Sequence, residues 1–350
     1  MANENILLRI FAIISCVFAF SLSISAEASW FGFGGDKGAT VEIMQTTNIS
    51  SKVTAICNMP RTVYVTDVSG DGSVVVGKCL NGQAPDDWQA FRYSQASGVE
   101  NIGVLGGIKS IDEIQISADG RTIWGAFYIK DEGSHIFRYT QSAGFQDLGT
   151  MGKKGISVNA VSADGSVIVG DFYNSPTEYP MLYHAFRYSQ SQGFEDLGAM
   201  STDSTHARGV SADGSLIVGN VEIGTSSKSA VRDISSHVFR YSRSDGMQDL
   251  GVAGWGDRAF ATGISNDGDV IVGNGMFIIG FIVSFYENSY VFMYTKKSGM
   301  QKLKGIGGER PGVTRISGDG TKLIGSYRDS NRESYVYTAK IVFPVTQEKK

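Results

Sequence analysis

The chain is poor in the residues that mark most other protein classes. Of its 350 residues only 6 are proline, 3 are cysteine, and histidine and tryptophan supply 4 each. Apolar residues at helical spacing are almost absent, which argues against a helical bundle or coiled coil. There is no basic stripe or polybasic block, and the formal net charge is −4, so a nucleic-acid partner is not expected. No HExxH pair, G-x-S-x-G elbow or Ser-His-Asp arrangement is visible, and these are the plainest signals of hydrolytic chemistry. Neither a metal nor a cofactor is expected. Glycine, by contrast, is plentiful at 44 residues, which suits short strands joined by tight turns.

The first residues, MANENILLRIFAIISCVFAFSLSISAEASW, combine Arg9, an apolar run over 10–20 and the small-residue exit Ala26-Glu27-Ala28. This pattern predicts a secretory signal peptide over 1–28, cut after Ala28. The run is shorter than the ~20 residues of a spanning helix, so no transmembrane span is expected after cleavage. Cys16 lies inside the apolar run, which argues against a lipoprotein box. Cleavage leaves Cys57 and Cys79. In an oxidising compartment an even count predicts one disulfide. Its closed loop of about 20 residues is worth on the order of 3 kcal/mol. Residues 29–40 form a Gly/aromatic lead and 346–350 a polar tail.

Between them one phrase recurs six times, as VSGDGSVVVG, ISADGRTIWG, VSADGSVIVG, VSADGSLIVG, ISNDGDVIVG and ISGDGTKLIG. Its Asp-Gly pairs start at 71, 119, 164, 213, 267 and 319. A second phrase, typified by YHAFRYSQSQGFEDLG (183–198), follows each of the first five. Each unit of about 45–50 residues then holds four strands. In the third unit these are a strand entering through Asn159-Ala160-Val161, then 166–170, 184–189 and 193–198. Four short antiparallel strands repeated in series predict an all-β, β-propeller-like fold of six four-stranded blades, with seven as the alternative. The single domain spans 41–345, with repeats near 62–108, 109–155, 156–204, 205–257, 258–310 and 311–345. Apolar runs such as Val167-Ile168-Val169 fit strands buried on both faces. The sixth repeat lacks an outer strand, which Val41-Glu42-Ile43-Met44 could supply.

The motif His184-Ala185-Phe186, with Arg187-Tyr188-Ser189, Gly193 and Asp196-Leu197-Gly198, resembles the HAF repeat of bacterial extracellular repeat proteins. The likeness runs over about 62–340 and implies an exported repeat protein; it brings no defined chemistry. Repeats one, five and six depart from it: Gln89 and Tyr290 replace the histidine, Met293 replaces the arginine, and repeat six is short.

Most repeated residues read as structural. Each Asp-Gly offers one carboxylate to a hairpin turn, whereas calcium takes six to eight oxygens. Arg138, Arg187 and Arg240 each precede Asp147, Asp196 and Asp249 by nine residues. With a two-residue hairpin loop such as Ser142-Ala143 they would stand directly opposite, as cross-strand ion pairs.

Function is then sought in the unequal connections. Between second and third strands, repeat five carries Phe277, Ile278, Ile279, Phe281, Ile282 and Phe285, a candidate partner surface. The connections between fourth and first strands are expected on the opposite face. There His206, Arg208, Trp255, Arg258, Phe260 and Arg310 are candidate ligand-binding residues at the ring axis. The favoured reading is a non-enzymatic exported binding or adhesion module at the cell surface or outside the cell, for a host or envelope macromolecule, protein or polysaccharide. A glycan-active propeller enzyme, lyase or hydrolase, and a periplasmic envelope scaffold are the alternatives.

Overall fold

The computed structural model describes residues 63–80, 88–102, 110–173, 182–198, 200, 204–223, 235–253, 258–276, 289–304, 306, 309–328 and 334–341. They fold as an all-β propeller without a helix. Blade three shows the unit. Lys154–Val161, Val167–Tyr173, Tyr183–Ser189 and Gly193–Gly198 pair antiparallel, in chain order from axis to rim. Blades one and two repeat this arrangement. Blades four and five do too, and a single parallel bridge between Ser236 and Arg258 joins them into one eight-stranded sheet. Blade six contributes three described strands, Glu309–Ile316, Lys322–Arg328 and Ser334–Lys340. The segment 41–44 lies outside the described residues. So do 1–28, Cys57 and Phe277–Phe285; Cys79 is fully buried in blade one.

The core is divided between the blades. Val167 and Val169 pack toward blade four with Ala207, Ile217 and Phe239, while Ile168 packs toward blade two with Trp124 and Ile136. A strand sandwiched in this way buries both faces, which is why its sequence does not alternate. The phenylalanine of each third strand, from Phe91 to Phe292, is fully buried. It lies against the glycine of the second strand, such as Gly170 or Gly219, where a Cβ would strike both that ring and an inner-strand carbonyl.

The Ser-x-Asp-Gly phrase is a turn with a second role. Ser162 Oγ donates to Asp164 Oδ1 at 2.8 Å, the Ser166 N–H donates to the same oxygen at 2.9 Å, and the Val167 N–H donates to Ser162 Oγ at 3.0 Å. All six turns repeat this set, with the glycine at φ between 70° and 77°. The x residues also bond blade to blade around the axis. The Gly70 N–H donates to Ala118 O at 2.8 Å, Ala163 to Ala212 O at 3.1 Å, Ala212 to Asn266 O at 3.0 Å, and Asn266 to Gly318 O at 2.8 Å. Gly318 leaves room there for the Asn266 side chain, whose amide a Cβ would meet.

In several turns these hydrogen bonds hold the carboxylate below its ordinary range. Asp71, Asp213 and Asp267 are lowered first by the serine hydroxyl, and Asp319 falls to about 2. A depressed folded value contributes stability above the unfolded pKa of ~3.9, and that stability is lost as pH falls through the folded value. The urea midpoint should therefore drop between about pH 4 and about pH 2. A midpoint unchanged down to pH 2.5 would remove the turns as an acid-sensitive element.

Two expectations are corrected. First, Ser204 stands opposite Glu222 and Arg258 opposite Met276. The second strand therefore ends where the first begins. The connections between second and third strands and between fourth and first issue from one face, and the Asp-Gly turns occupy the other. Alternating strand direction requires this. Second, the Arg–Asp pairs do not form. The hairpin loop has three residues closed by a positive-φ glycine, Gly144 in blade two, so Arg138 faces Gln146, Arg187 faces Glu195 and Arg240 faces Gln248. That extra residue is a G1-type bulge, and it shifts the register by one. Asp147, Asp196 and Asp249 instead meet His135, His184 and His237 of their own blades at 3.0, 3.0 and 2.8 Å. The histidines therefore tie third strand to fourth.

Candidate functional site

All six inner strands line a central channel of about 220 Å³, with Asp67, Gln115, Ala160, Gly209, Gly263 and Arg315 among the wall residues. The x residues Gly70, Ala118, Ala163, Ala212 and Asn266 line it at one end. At the loop-bearing face a recess of about 340 Å³ opens between blades four and five, lined by His206, Arg208, Asn220, Glu222, Phe260, Ala261 and Thr262. Arg208 and Thr262 line both spaces.

Local structure places Arg208. Pairing of Ser204–Val210 with Ile217–Ile223 is interrupted between Ala207 and Gly209, so Arg208 occupies a β-bulge. Thr262 and Asn159 occupy equivalent interruptions. Bulges re-aim side chains, and they are frequent beside functional sites. The Arg208 side chain is 41% exposed, and its Nη1 is 4.0 Å from Asp171 Oδ2, beyond hydrogen-bond distance.

Asp171, from blade three, organises the floor. It is buried, accepts from Asn159 Nδ2 at 2.8 Å, and lies 3.2 Å from His206 Nδ1 without hydrogen-bond geometry. Asn159 also donates to Ala207 O at 2.9 Å, joining blades three and four. Tyr183 faces the His206 ring with centroids 4.9 Å apart and donates to Tyr173 at 2.7 Å. Burial, then this hydrogen bond, pushes the Tyr183 phenol well above its ordinary pKa, so it stays neutral. Across the recess Asn220 Nδ2 donates to Ala259 O at 2.9 Å and fixes the spacing of blades four and five.

Of the candidate ligand-binding residues, His206, Arg208 and Phe260 come together. Arg258 begins the strand Arg258–Ile264 but is not in the recess wall. Arg310 falls within Glu309–Ile316, its side chain outside the described set, and Trp255 lies outside the described residues. His206 is in a strand rather than a loop. Asp171, Asn220, Glu222 and Tyr183 were missed. One signal pointed to two of them: the residue after the second-strand glycine reaches the neighbouring blade. Lys78 Nζ donates to Ile111 O at 3.0 Å and Asn274 Nδ2 to Val313 O at 2.9 Å, from positions equivalent to Asp171 and Asn220. Among the described residues no three His, Cys, Asp or Glu side chains gather to hold a metal ion, and no helix is long and apolar enough to cross a membrane.

No family model matches the chain, and no curated protein does. Solved propellers do. The chain is similar to the tricorn protease at 13% identity and a TM-score of 0.54, over 79% of this chain and 29% of that one, so it spans less than a third of that protein. It is similar to an oligogalacturonate lyase in complex with manganese, at 10% identity and 0.53, over 79% and 76%. The β-propeller domain of the Trilobed protease from Pyrococcus furiosus matches at 14% and 0.52, over 81% and 86%. At these identities the likeness shows the β-propeller fold alone.

Proposed function

We propose that the protein is an exported propeller that binds a host or envelope macromolecule, protein or polysaccharide, through the recess between blades four and five. The observation that carries this is the grouping of His206, Arg208, Glu222 and Phe260 in one recess at the channel mouth. Elsewhere the repeated side chains are spent on turns, blade contacts and hairpin pairs. Export rests on the signal-like residues 1–28, and kinship with the HAF-repeat proteins rests on the recurring motif. Met276 and Ser289, which bracket the mostly apolar sequence 277–288, pair with each other at the same face.

The test is binding of the purified protein to an array of glycans and extracellular-matrix proteins, with and without calcium. A specific signal is expected to fall at least about tenfold in Phe260→Ala, a loss typical of an aromatic anchor, with the thermal midpoint little changed. A blank array with folded protein would sink the adhesion reading. The intact mass of the exported protein checks cleavage after Ala28 and one Cys57–Cys79 disulfide.

A second reading has a specific observation in its favour. A glycan-active enzyme needs a titratable group held in place near the axis, and His206 beside the buried Asp171 is such a group. Turnover of an array hit that is abolished in His206→Ala, with binding retained, would decide for it.

A further inference from the structure

We propose that the recess takes a carboxylate-bearing sugar, its acid group on Arg208 and its apolar ring face on Phe260. This rests on the recess being the binding site and goes further by naming the ligand's chemistry. Arg208 is set on a bulge, and among the described residues its one ion-pair contact is the 4.0 Å approach to Asp171. Asp171 is already engaged by Asn159 and crowded by His206. The guanidinium fork therefore retains donors for a second carboxylate, which it can grip bidentately.

The other wall selects what carries that acid. Phe260 presents an aromatic ring from the neighbouring blade, a surface for the C–H face of a sugar. Glu222, Asn220 and Thr262 ring the same space with oxygen acceptors, the Thr262 hydroxyl itself donating to Val272 O at 3.5 Å, which suits a ligand rich in hydroxyl donors. The Glu222 carboxylate repels any anion in the recess, and a doubly charged phosphate about twice as strongly as a singly charged carboxylate at the same distance. A peptide carboxylate shares the charge but brings no array of hydroxyls. The recess opens on the loop-bearing face, which is the way in for a ring-sized ligand.

The experiment is calorimetric titration of the full-length protein with three matched probes at low salt. These are a glucuronate-containing tetrasaccharide, its carboxyl-reduced neutral counterpart, and a glutamate-rich tetrapeptide. The acidic sugar is expected to bind about tenfold or more tightly than the neutral one. Arg208→Ala should erase that difference, Arg208→Lys should keep part of it, and Phe260→Ala should weaken both sugars about tenfold. Each variant's thermal midpoint controls for folding. Equal binding of acidic and neutral sugar, selective binding of the peptide, or no binding of any probe overturns the ligand class. Sugar binding indifferent to both Arg208→Ala and Phe260→Ala overturns the recess itself, so the two failures are separable.

Discussion

Gly170→Ala should destabilise the protein by about 3 kcal/mol, the upper part of the range for overpacking a filled core. The new methyl has nowhere to go. It would run into the Ser157 carbonyl oxygen and lie 2.8 Å from Cε1 of Phe186. Phe186 is fully buried between blades, and the carbonyl belongs to the inner strand that lines the channel. Shrinking the ring in Gly170→Ala/Phe186→Leu should not restore stability, because the backbone clash remains. Gly144→Ala is the contrast. Its φ is 68° with open space around it, so the left-handed backbone alone costs about 1–2 kcal/mol. Urea unfolding of the three variants checks the order. A cost for Gly170→Ala no larger than for Gly144→Ala would mean that the inner strand and the Phe186 ring give way cheaply, and that clearance is not what the second-strand glycine supplies.

That glycine shows how far the fold was legible. It recurs in every unit beside an apolar run, and the period, the turn phrase and the run together determine strands, blades and burial on both faces. The hairpin register was less accessible, because a two-residue loop and a three-residue loop with a bulge differ by one residue and reverse which side chains meet. The compositional clue was present. Where His becomes Gln89, Asp becomes Asn101, and these two hydrogen-bond at 3.0 Å; where His becomes Tyr290, Asp becomes Lys302, whose Nζ sits 4.3 Å over the tyrosine ring. Arg92 stays in repeat one while the aspartate is lost, so the aspartate's partner was the histidine.

The candidate site was legible only in part, for a related reason. His206, Arg208 and Phe260 share a connection or an inner strand, so nearness in the chain suggests nearness at the axis. Asp171, Asn220 and Glu222 sit on second strands, and whether such a residue faces a neighbouring blade's inner strand depends on the bulge. The same interruption recurs in the inner strand of every blade. Nothing in the alternation of residues announces it, because both faces of these strands are buried anyway.

Asp67, on the inner strand of blade one, is buried, and it accepts from the Ile116 N–H of blade two at 3.0 Å and from Arg315 Nη2 of blade six at 2.9 Å. The two bonds differ in kind. Ile116 is 4% exposed, so its N–H has no recourse to water. Arg315 has a 48% exposed side chain, and half-exposed ion pairs contribute little. Asp67→Ala should therefore cost about 2–3 kcal/mol, from an orphaned backbone donor with the smaller loss of the pair. Arg315→Ala should cost under about 1 kcal/mol. Asp67→Asn should recover most of the loss, since its amide oxygen can still accept from Ile116. Equal costs for Asp67→Ala and Arg315→Ala in denaturant titrations would instead assign the closure to the ion pair. The Arg315 guanidinium would then be committed to Asp67 and withdrawn from any anion in the channel it shares with Arg208.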